Sequence, residues 1–114
     1  MTYTINGKEY TEFDINKRCA ELLEIKYITN DVYVLIPDPV MSMEASCSQY
    51  MEYNPCNSPS DADTIIDKCW DELNQFVSGK QRMETKWIFT MQQHNCTKLV
   101  AACICYIEIN EAAL

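Results

Sequence analysis

The amino-acid sequence predicts a small single α+β domain with three helices, a small antiparallel sheet and a central C-terminal helix. The chain has 114 residues, of which 47% are apolar and 23% are charged, a length and composition typical of one folded domain. Apolar side chains recur at helical spacing in two segments, which are separated by β-branched or alternating runs. The last segment is apolar on nearly all sides, as expected of a helix that crosses the centre of a molecule. We therefore expect one α+β domain over residues 1–114.

The N-terminal residues predict a two-stranded ribbon and then the first helix. Asn6-Gly7 favours positive φ angles and a tight hairpin turn between short β segments. Thr11, followed three residues later by Asp14, resembles a capping box, and apolar residues continue from there at helical spacing. We expect helix one to run from about Glu12 to Glu24.

A strand and a long loop are predicted next. The run from Val32 to Ile36 is β-branched and aromatic, and Pro37 and Pro39 end it. Periodicity disappears over residues 38–59, which are rich in Met, Ser, Tyr and Asn. Loops of this length in small domains are usually functional or disordered, so we expect this loop to carry a functional surface.

Helix two has the clearest helical pattern in the chain. Ser60 is predicted to cap it, with Asp63 at the capping-box position and Gly79 as the C-terminal stop. The apolar pattern lasts four turns, to Val77. The face expected to cover the C-terminal helix contains Ile65, Ile66, Cys69, Trp70 and Leu73.

The C-terminal third predicts a half-buried strand and the central helix. Between Arg82 and Gln92, apolar and polar residues alternate, which is the pattern of a strand with one buried face. Asn95 or Thr97 is expected to start the last helix, whose apolar run extends through Ile109. The most apolar stretch has only nine residues, too few to cross a bilayer, so no membrane partner is expected.

Charge is distributed unevenly and excludes one class of partner. The formal net charge is −8, with −2 over residues 1–36, −7 over residues 37–79 and +1 over residues 80–114. A negative surface repels phosphate backbones, so direct nucleic-acid binding is not expected. An acidic face can instead attract a basic protein surface, including one that normally holds nucleic acid.

Cysteine usage predicts a cytoplasmic protein with free thiols. The seven cysteines are an odd number, no Cys-x-x-Cys pair occurs, and His94 is the only histidine. We expect buried cysteines, no disulfide, no metal and no cofactor. Cys96, beside His94 at a predicted helix start, is either a reactive thiolate or a helix-capping cysteine. The two glycines are too few for a phosphate-binding loop, and no catalytic constellation is evident, so we expect no enzyme.

Candidate binding residues lie before and along helix two. Short hydrogen-bonding side chains precede its N-terminus, where free amides can bind an anion or a partner's carboxylate; alternatively, these side chains only brace the loop. Carboxylates at four-residue spacing follow along the helix, as a solvated face or as magnesium ligands. The candidate residues are Asn54, Cys56, Asn57, Ser58, Ser60 and Asp61 at the N-terminus, and Asp63, Asp67 and Asp71 along the face.

Three segments together resemble the NinX-like small phage proteins. The matching residues are Phe13-Asp14-Ile15-Asn16-Lys17 with Ala20; Asn54-Pro55-Cys56-Asn57 leading into Ser60-Asp61-Ala62 and Ile65-Ile66; and Leu99, Ala101 and Ala102. They occur in the family's order and bracket most of the chain. The resemblance implies a temperate-phage or prophage origin and expression inside a bacterial cell, with no catalytic activity or cofactor to carry over.

Two functions are compatible with these observations. The first is a non-enzymatic phage accessory protein that antagonises a host or anti-phage defence protein by binding it through the loop and the acidic face. The second is a sponge that sequesters a nucleotide defence signal at the helix-two N-terminus, as a homodimer or other oligomer. A base would then stack on Tyr50, Tyr53 or Trp87, and the cations Lys68, Lys80, Arg82 and Lys86 would offset the acidity.

Overall fold

Helices and short antiparallel strands alternate along the chain in a computed structural model that describes residues 1–37, 50–78 and 83–112. The elements are β1 (Tyr3–Ile5), β2 (Lys8–Tyr10), α1 (Glu12–Leu22), β3 (Ile28–Thr29), β4 (Val34–Pro37), β5 (Tyr50–Glu52), α2 (Pro59–Lys68), α3 (Trp70–Leu73), β6 (Phe76–Ser78), β7 (Met83–Thr85), α4 (Lys86–His94) and α5 (Lys98–Ala112). The predicted α+β class is confirmed. The described ranges hold five helices and three small sheets instead of three helices and one sheet.

The N-terminal predictions are confirmed in detail. Asn6 and Gly7 have φ angles of 51° and 81°, and they close an antiparallel hairpin of β1 and β2. Thr11 and Asp14 form a capping box, since the Asp14 amide donates to Thr11 Oγ1 at 3.1 Å and the Thr11 amide donates to Asp14 Oδ2 at 3.0 Å. Helix α1 ends at Leu22, two residues before the predicted end.

Helix α5 lies at the centre, as predicted. Every residue from Val100 to Ile107 is buried, and α1, α2 and α4 all pack against this helix. Ala101, Ala102 and Cys103 have small side chains, which let the neighbouring helices approach closely. Within the described ranges, no helix combines the length and apolarity that a bilayer crossing needs.

The predicted strand between Arg82 and Gln92 is wrong for most of its length. Only β7 is extended, and α4 follows it directly. Thr85 caps α4 by accepting a hydrogen bond from the Ile88 amide at 3.3 Å, and Asn95 ends the helix in the left-handed conformation. Trp87 and Thr90, three residues apart, are its buried residues. This spacing of buried residues is that of a helix, so the alternation of apolar and polar residues in the sequence does not give a strand here.

Helix two differs from the prediction at both ends. Ser58, rather than Ser60, is the N-cap. Pro59 follows it in the first turn of the helix, where proline is tolerated because a backbone N–H at that position has no partner within the helix. The helix ends at Lys68, and Cys69 leaves helical geometry with φ −117° and ψ 21°. A single turn, α3, follows, and the chain then enters strand β6 instead of continuing as a helix to Val77.

This break changes which side chains face the core. Ile65, Cys69 and Leu73 are buried, as predicted, and Ile66 is partly buried. Trp70, however, is 52% exposed, so the prediction that it covers the C-terminal helix is wrong. The non-helical Cys69 separates Trp70 from the apolar stripe of α2.

The middle of the chain contributes a three-stranded antiparallel sheet. Val34, Leu35, Ile36 and Pro37 form β4, which pairs with β3 on one side and β5 on the other. The predicted start at Val32 is two residues early, because Asn30 Oδ1 accepts the Val32 and Tyr33 amides in a turn. Of the predicted loop, residues 38–49 lie outside the described residues, and residues 50–52 form β5. Gly79, Lys80 and Arg82 also lie outside them.

Replacing Tyr53 by phenylalanine is expected to raise the free energy of unfolding by about 1 kcal/mol. The Tyr53 hydroxyl is buried and has no hydrogen-bond partner among the described residues, so removing it relieves a desolvation cost. Tyr10→Phe is the matched control, since the Tyr10 hydroxyl donates to Glu111 Oε1 at 2.9 Å. Chemical denaturation of both variants checks this. A Tyr53→Phe protein that loses as much stability as Tyr10→Phe would contradict it.

Glu111 is expected to make stability depend on acidic pH. Desolvation raises the pKa of Glu111, but hydrogen bonds from Arg18 and Tyr10 outweigh it, so the pKa lies below its usual value. The stabilisation is therefore present above the unfolded carboxyl pKa and is lost as pH falls through the folded pKa. Glu111→Gln should lower the free energy of unfolding by about 1 kcal/mol at pH 7. The difference from the wild type should shrink in acid; a difference that widens there would be contrary to this prediction.

Candidate functional site

The residues predicted before helix two are held by α1. The buried side chain of Asn16, in α1, donates from Nδ2 to Asn54 Oδ1 at 3.0 Å, and its Oδ1 accepts the Cys56 amide at 3.1 Å. The backbone N–H of Asn54 in turn donates to Asp61 Oδ2 at 2.9 Å. Both ends of the Asn16 amide are therefore used to fix the turn that precedes α2.

Glu12 provides the second connection between α1 and this turn. Asn57 Nδ2 donates to Glu12 Oε1 at 2.9 Å and contacts Asn54 Oδ1 at 3.1 Å. The Cys56 thiol lies 3.8 Å from the Glu12 carbonyl oxygen. We call the connected residues the α1–α2 brace: Glu12, Asn16, Asn54, Cys56, Asn57 and Asp61.

Four predicted site residues therefore make hydrogen bonds to other residues of this protein: Asn54, Cys56, Asn57 and Asp61. The bracing interpretation of these side chains is the one that their contacts favour. Sequence reasoning did not select Asn16 as a site residue, although it stands in the first segment of the family resemblance. No local signal could select it, because Asn54 is 38 residues away.

The two serines at the α2 N-terminus contact each other. Ser58 Oγ and Ser60 Oγ lie 3.2 Å apart, and the Ser58 side chain makes no capping hydrogen bond. The Asp61 carboxylate occupies the first turn of the helix, where it already interacts favourably with the helix dipole. A bound anion would be placed close to this negative charge.

A small cavity lies beside the brace, with a volume of 150 Å³. Its lining includes two carboxylates, those of Glu12 and Glu52. Pockets that enclose drug-sized ligands have volumes of roughly 300 Å³ or more. This cavity is therefore small and too negative for a nucleotide.

Two of the three predicted base-stacking residues are not available for stacking. Tyr53 is buried, and burial raises the pKa of its hydroxyl. Trp87 is buried too, with its indole Nε1 donating to the Lys98 carbonyl oxygen at 2.8 Å. Only Tyr50 is exposed. The predicted stacking role of Tyr53 and Trp87 is therefore wrong.

Cys96 does not have the environment of a reactive thiolate. Burial, with a smaller contribution from Cys56, raises its pKa to about 11. A nucleophilic cysteine needs the opposite shift. The capping interpretation is wrong as well, because Thr97 Oγ1 accepts the Val100 amide at the start of α5, whereas the Cys96 thiol lies 3.9 Å from the Thr90 carbonyl oxygen.

The acidic face of the second helix is exposed, as the periodicity predicts. Asp63, Asp67 and Asp71 are all exposed, and within the part of the chain that the structure describes they make no ion pair or side-chain hydrogen bond. No group of three potential metal-ligating side chains occurs among the described residues. The three carboxylates therefore remain hydrated and free to face a partner.

Two exposed aromatic residues follow these carboxylates closely in the sequence. Trp70 is 52% exposed, and Phe76, which begins β6 directly after α3, is 67% exposed. The Trp70 ring packs edge-on against Trp87, with ring centroids 6.3 Å apart. Lys98 Nζ lies 4.5 Å from the Trp87 ring centroid and covers that ring. The Trp87 ring therefore packs against Trp70, while about half of Trp70 remains exposed to solvent.

We call these side chains together the acidic–aromatic surface: Asp63, Asp67, Trp70, Asp71 and Phe76. Sequence reasoning found its carboxylates but not its aromatic residues, because Trp70 fits the apolar stripe of an unbroken helix. The surface combines a large apolar contact area with unpaired negative charge. Exposed aromatic residues of this kind are common where proteins bind a partner.

No protein-family model, curated protein or solved structure matches this chain. The resemblance to NinX-like phage proteins therefore stays a prediction.

Proposed function

We propose that this chain is a non-enzymatic phage or prophage accessory protein that binds a host or anti-phage defence protein in the bacterial cytoplasm and blocks it. The observation that supports the proposal is that Trp70 and Phe76 are exposed in the same segment of the chain as three exposed carboxylates, which have no partners among the described residues. Exposed tryptophan is costly in a monomer, and tryptophan is enriched among residues that dominate binding energy.

The charge around this surface defines the kind of partner. Between residues 50 and 78 there are six acidic side chains and a single basic one, Lys68. A basic protein surface complements such a field, and attraction over several ångströms speeds the encounter. A defence protein that binds nucleic acid presents a surface of this kind. Covering it with the acidic–aromatic surface would exclude its nucleic acid.

A phage-challenge experiment tests the proposal. Bacterial strains that each carry one defence system are infected with and without expression of this protein. We expect wild-type protein to restore plaque formation in at least one strain. Neutralising the acidic face with Asp63→Asn, Asp67→Asn and Asp71→Asn should reduce that restoration at least tenfold, because steering is lost.

The matched control neutralises three exposed carboxylates elsewhere, with Glu9→Gln, Glu24→Gln and Asp31→Asn. It changes the net charge equally and should leave restoration intact. The affected defence protein should co-purify with the wild type and dissociate as salt is raised. Equal loss in both triple variants would reject the acidic–aromatic surface, and no restoration in any strain would reject the anti-defence role.

A cavity of 370 Å³ lies at the α2 N-terminus, lined in part by Ser60, Asp61 and Lys68, and it is large enough for a small ligand. The nucleotide-sponge function is nevertheless the weaker candidate, because its stacking residues Tyr53 and Trp87 are buried. A thermal-shift screen against cyclic and linear nucleotides separates the two functions. We expect no shift, whereas a ligand present at 100 times its dissociation constant would add about 2.7 kcal/mol of stability.

A further inference from the structure

Two of the eight asparagines have side-chain amides without a hydrogen-bond partner among the described residues, which include all eight. The others hydrogen-bond through their side chains to another part of the protein: Asn16, Asn30, Asn54, Asn57, Asn74 and Asn110. The remaining two, Asn6 and Asn95, have positive φ angles of 51° and 50°. A free side-chain amide can reorient to react, whereas a bonded one is held, so these two asparagines are the candidates for chemical change.

The residue that follows each of them separates the two candidates. The backbone N–H of Cys96, after Asn95, donates to the Met91 carbonyl oxygen at 3.0 Å. The backbone N–H of Gly7, after Asn6, makes no such hydrogen bond within the described ranges. A Cβ atom built on Gly7 would meet no heavy atom within 4 Å, and both Asn6 and Gly7 are exposed. Asn6 is therefore the position where a free side-chain amide is followed by a free and uncrowded backbone nitrogen.

This combination permits a reaction within the chain. A backbone nitrogen can attack the side-chain carbonyl carbon of the preceding asparagine and close a five-membered ring. Glycine favours the attack because it has no Cβ atom beside the nitrogen. The turn must open for the ring to close, and β1 and β2 form a separate ribbon with three residues in each strand. Two-stranded ribbons are only marginally stable by themselves, so the exposed tip can open while the core stays folded.

We propose that Asn6 is a site of spontaneous deamidation, at which the folded protein converts this side chain to aspartate and isoaspartate. This modification site is independent of the acidic–aromatic surface and of the function proposed for it.

The chemistry takes place in two balanced steps. The Gly7 backbone nitrogen loses its proton to solvent base and bonds to Asn6 Cγ, while the bond from Cγ to the side-chain nitrogen breaks and ammonia leaves. Water then attacks one of the two carbonyl carbons of the resulting succinimide ring and breaks its bond to the Gly7 nitrogen. Attack at Cγ gives aspartate, and attack at the backbone carbonyl carbon gives isoaspartate. In total, one water is consumed, one ammonia is released and nothing is oxidised or reduced.

The two products affect the hairpin differently. Both place a new negative charge at the turn. Aspartate followed by glycine suits the same tight turn as asparagine followed by glycine. Isoaspartate instead adds one carbon atom to the main chain, so the two-residue turn no longer fits the pairing of Ile5 with Lys8. We therefore expect the isoaspartyl form, separated by chromatography, to unfold at a lower urea concentration than the aspartyl form.

The test incubates the full-length folded protein in mildly alkaline buffer and follows its intact mass, its peptide map and the ammonia released. We expect a gain of one mass unit at Asn6, with an equal amount of ammonia, before any other asparagine changes. Labelling by an isoaspartyl methyltransferase should identify part of the product as isoaspartate. Asn95 is the internal control, because it has the same backbone conformation but is followed by a bonded amide.

Asn6→Gly is the control variant, since two glycines also suit this turn but offer no side-chain amide. It should show no gain in mass over the period in which the wild type changes. An unchanged wild-type mass, an earlier change at another asparagine, or a gain in Asn6→Gly as fast as in the wild type would each overturn the proposal. Equal urea midpoints for the two separated products would overturn the expected effect on the hairpin.

Discussion

Replacing Asn16 by alanine is expected to lower the free energy of unfolding by about 3 kcal/mol. The substitution removes the two hydrogen bonds that the Asn16 side chain makes to the turn before α2. The Cys56 amide, which lies in a buried residue, would then have no acceptor from α1, and an unsatisfied buried donor carries a large desolvation cost. Equilibrium unfolding in urea, followed by circular dichroism, measures the change.

Asn30→Ala is the matched control for this prediction. Asn30 also accepts hydrogen bonds from two backbone amides, those of Val32 and Tyr33, but it does so in an exposed turn. Water can replace these bonds, so we expect a loss of about 1 kcal/mol or less. Similar losses for Asn16→Ala and Asn30→Ala would show that burial of the brace contributes little.

Replacing Ile104 by alanine is expected to be the most destabilising of the substitutions considered, at about 4 kcal/mol. Ile104 is fully buried in α5, the helix against which α1, α2 and α4 pack. The truncation removes three carbon atoms from the centre of this packing. The surrounding helices cannot close the resulting cavity without losing other contacts.

Ile88→Ala makes the same chemical change on an exposed part of α4, where Ile88 is 46% exposed. We expect a loss of less than about 1 kcal/mol, since nearly half of this residue is already exposed to water. Thermal and chemical unfolding of the two variants should therefore give clearly different midpoints. Equal midpoints would mean that α5 does not form the centre of the core.

Elements whose local signals agree could be predicted from the sequence. The hairpin at Asn6-Gly7 and the capping box of α1 depend on residues within a few positions of each other, and both are confirmed. The position of α5 also follows from its composition, because a helix that is apolar all round has no face suited to solvent.

Elements with conflicting signals could not be predicted. The segment after Arg82 alternates like a strand, yet Thr85 is a good N-cap, and Trp87 finds its hydrogen-bond partner at Lys98 in the next helix. Tertiary contact of this kind decides between two local patterns that are both plausible. The exposure of Trp70 was missed for a related reason, since one non-helical residue, Cys69, shifts the phase of the pattern.

The residues of the candidate site also differ in whether local sequence or distant contacts determine their environment. Exposure of Asp63 and Asp67 follows from their four-residue spacing in α2, which is local information. Asp71 is exposed too, but it lies in α3, beyond the break at Cys69. The internal use of Asn54 and Asn57 depends on α1, far earlier in the chain, and no spacing rule connects them. Sequence patterns therefore located the carboxylates of the acidic–aromatic surface but not its aromatic residues, and they located four residues of the α1–α2 brace but not their partners in α1.

The order of the elements has a consequence for synthesis on the ribosome. Helices α1 and α2 emerge from the exit tunnel well before α5, the helix that covers their apolar faces. Translation proceeds at about 5–20 residues per second, so those faces stay uncovered for seconds in every nascent chain. Chaperones and proteases that recognise apolar segments can bind during this interval. The cellular level of the protein should consequently depend on how fast residues 98–112 are translated.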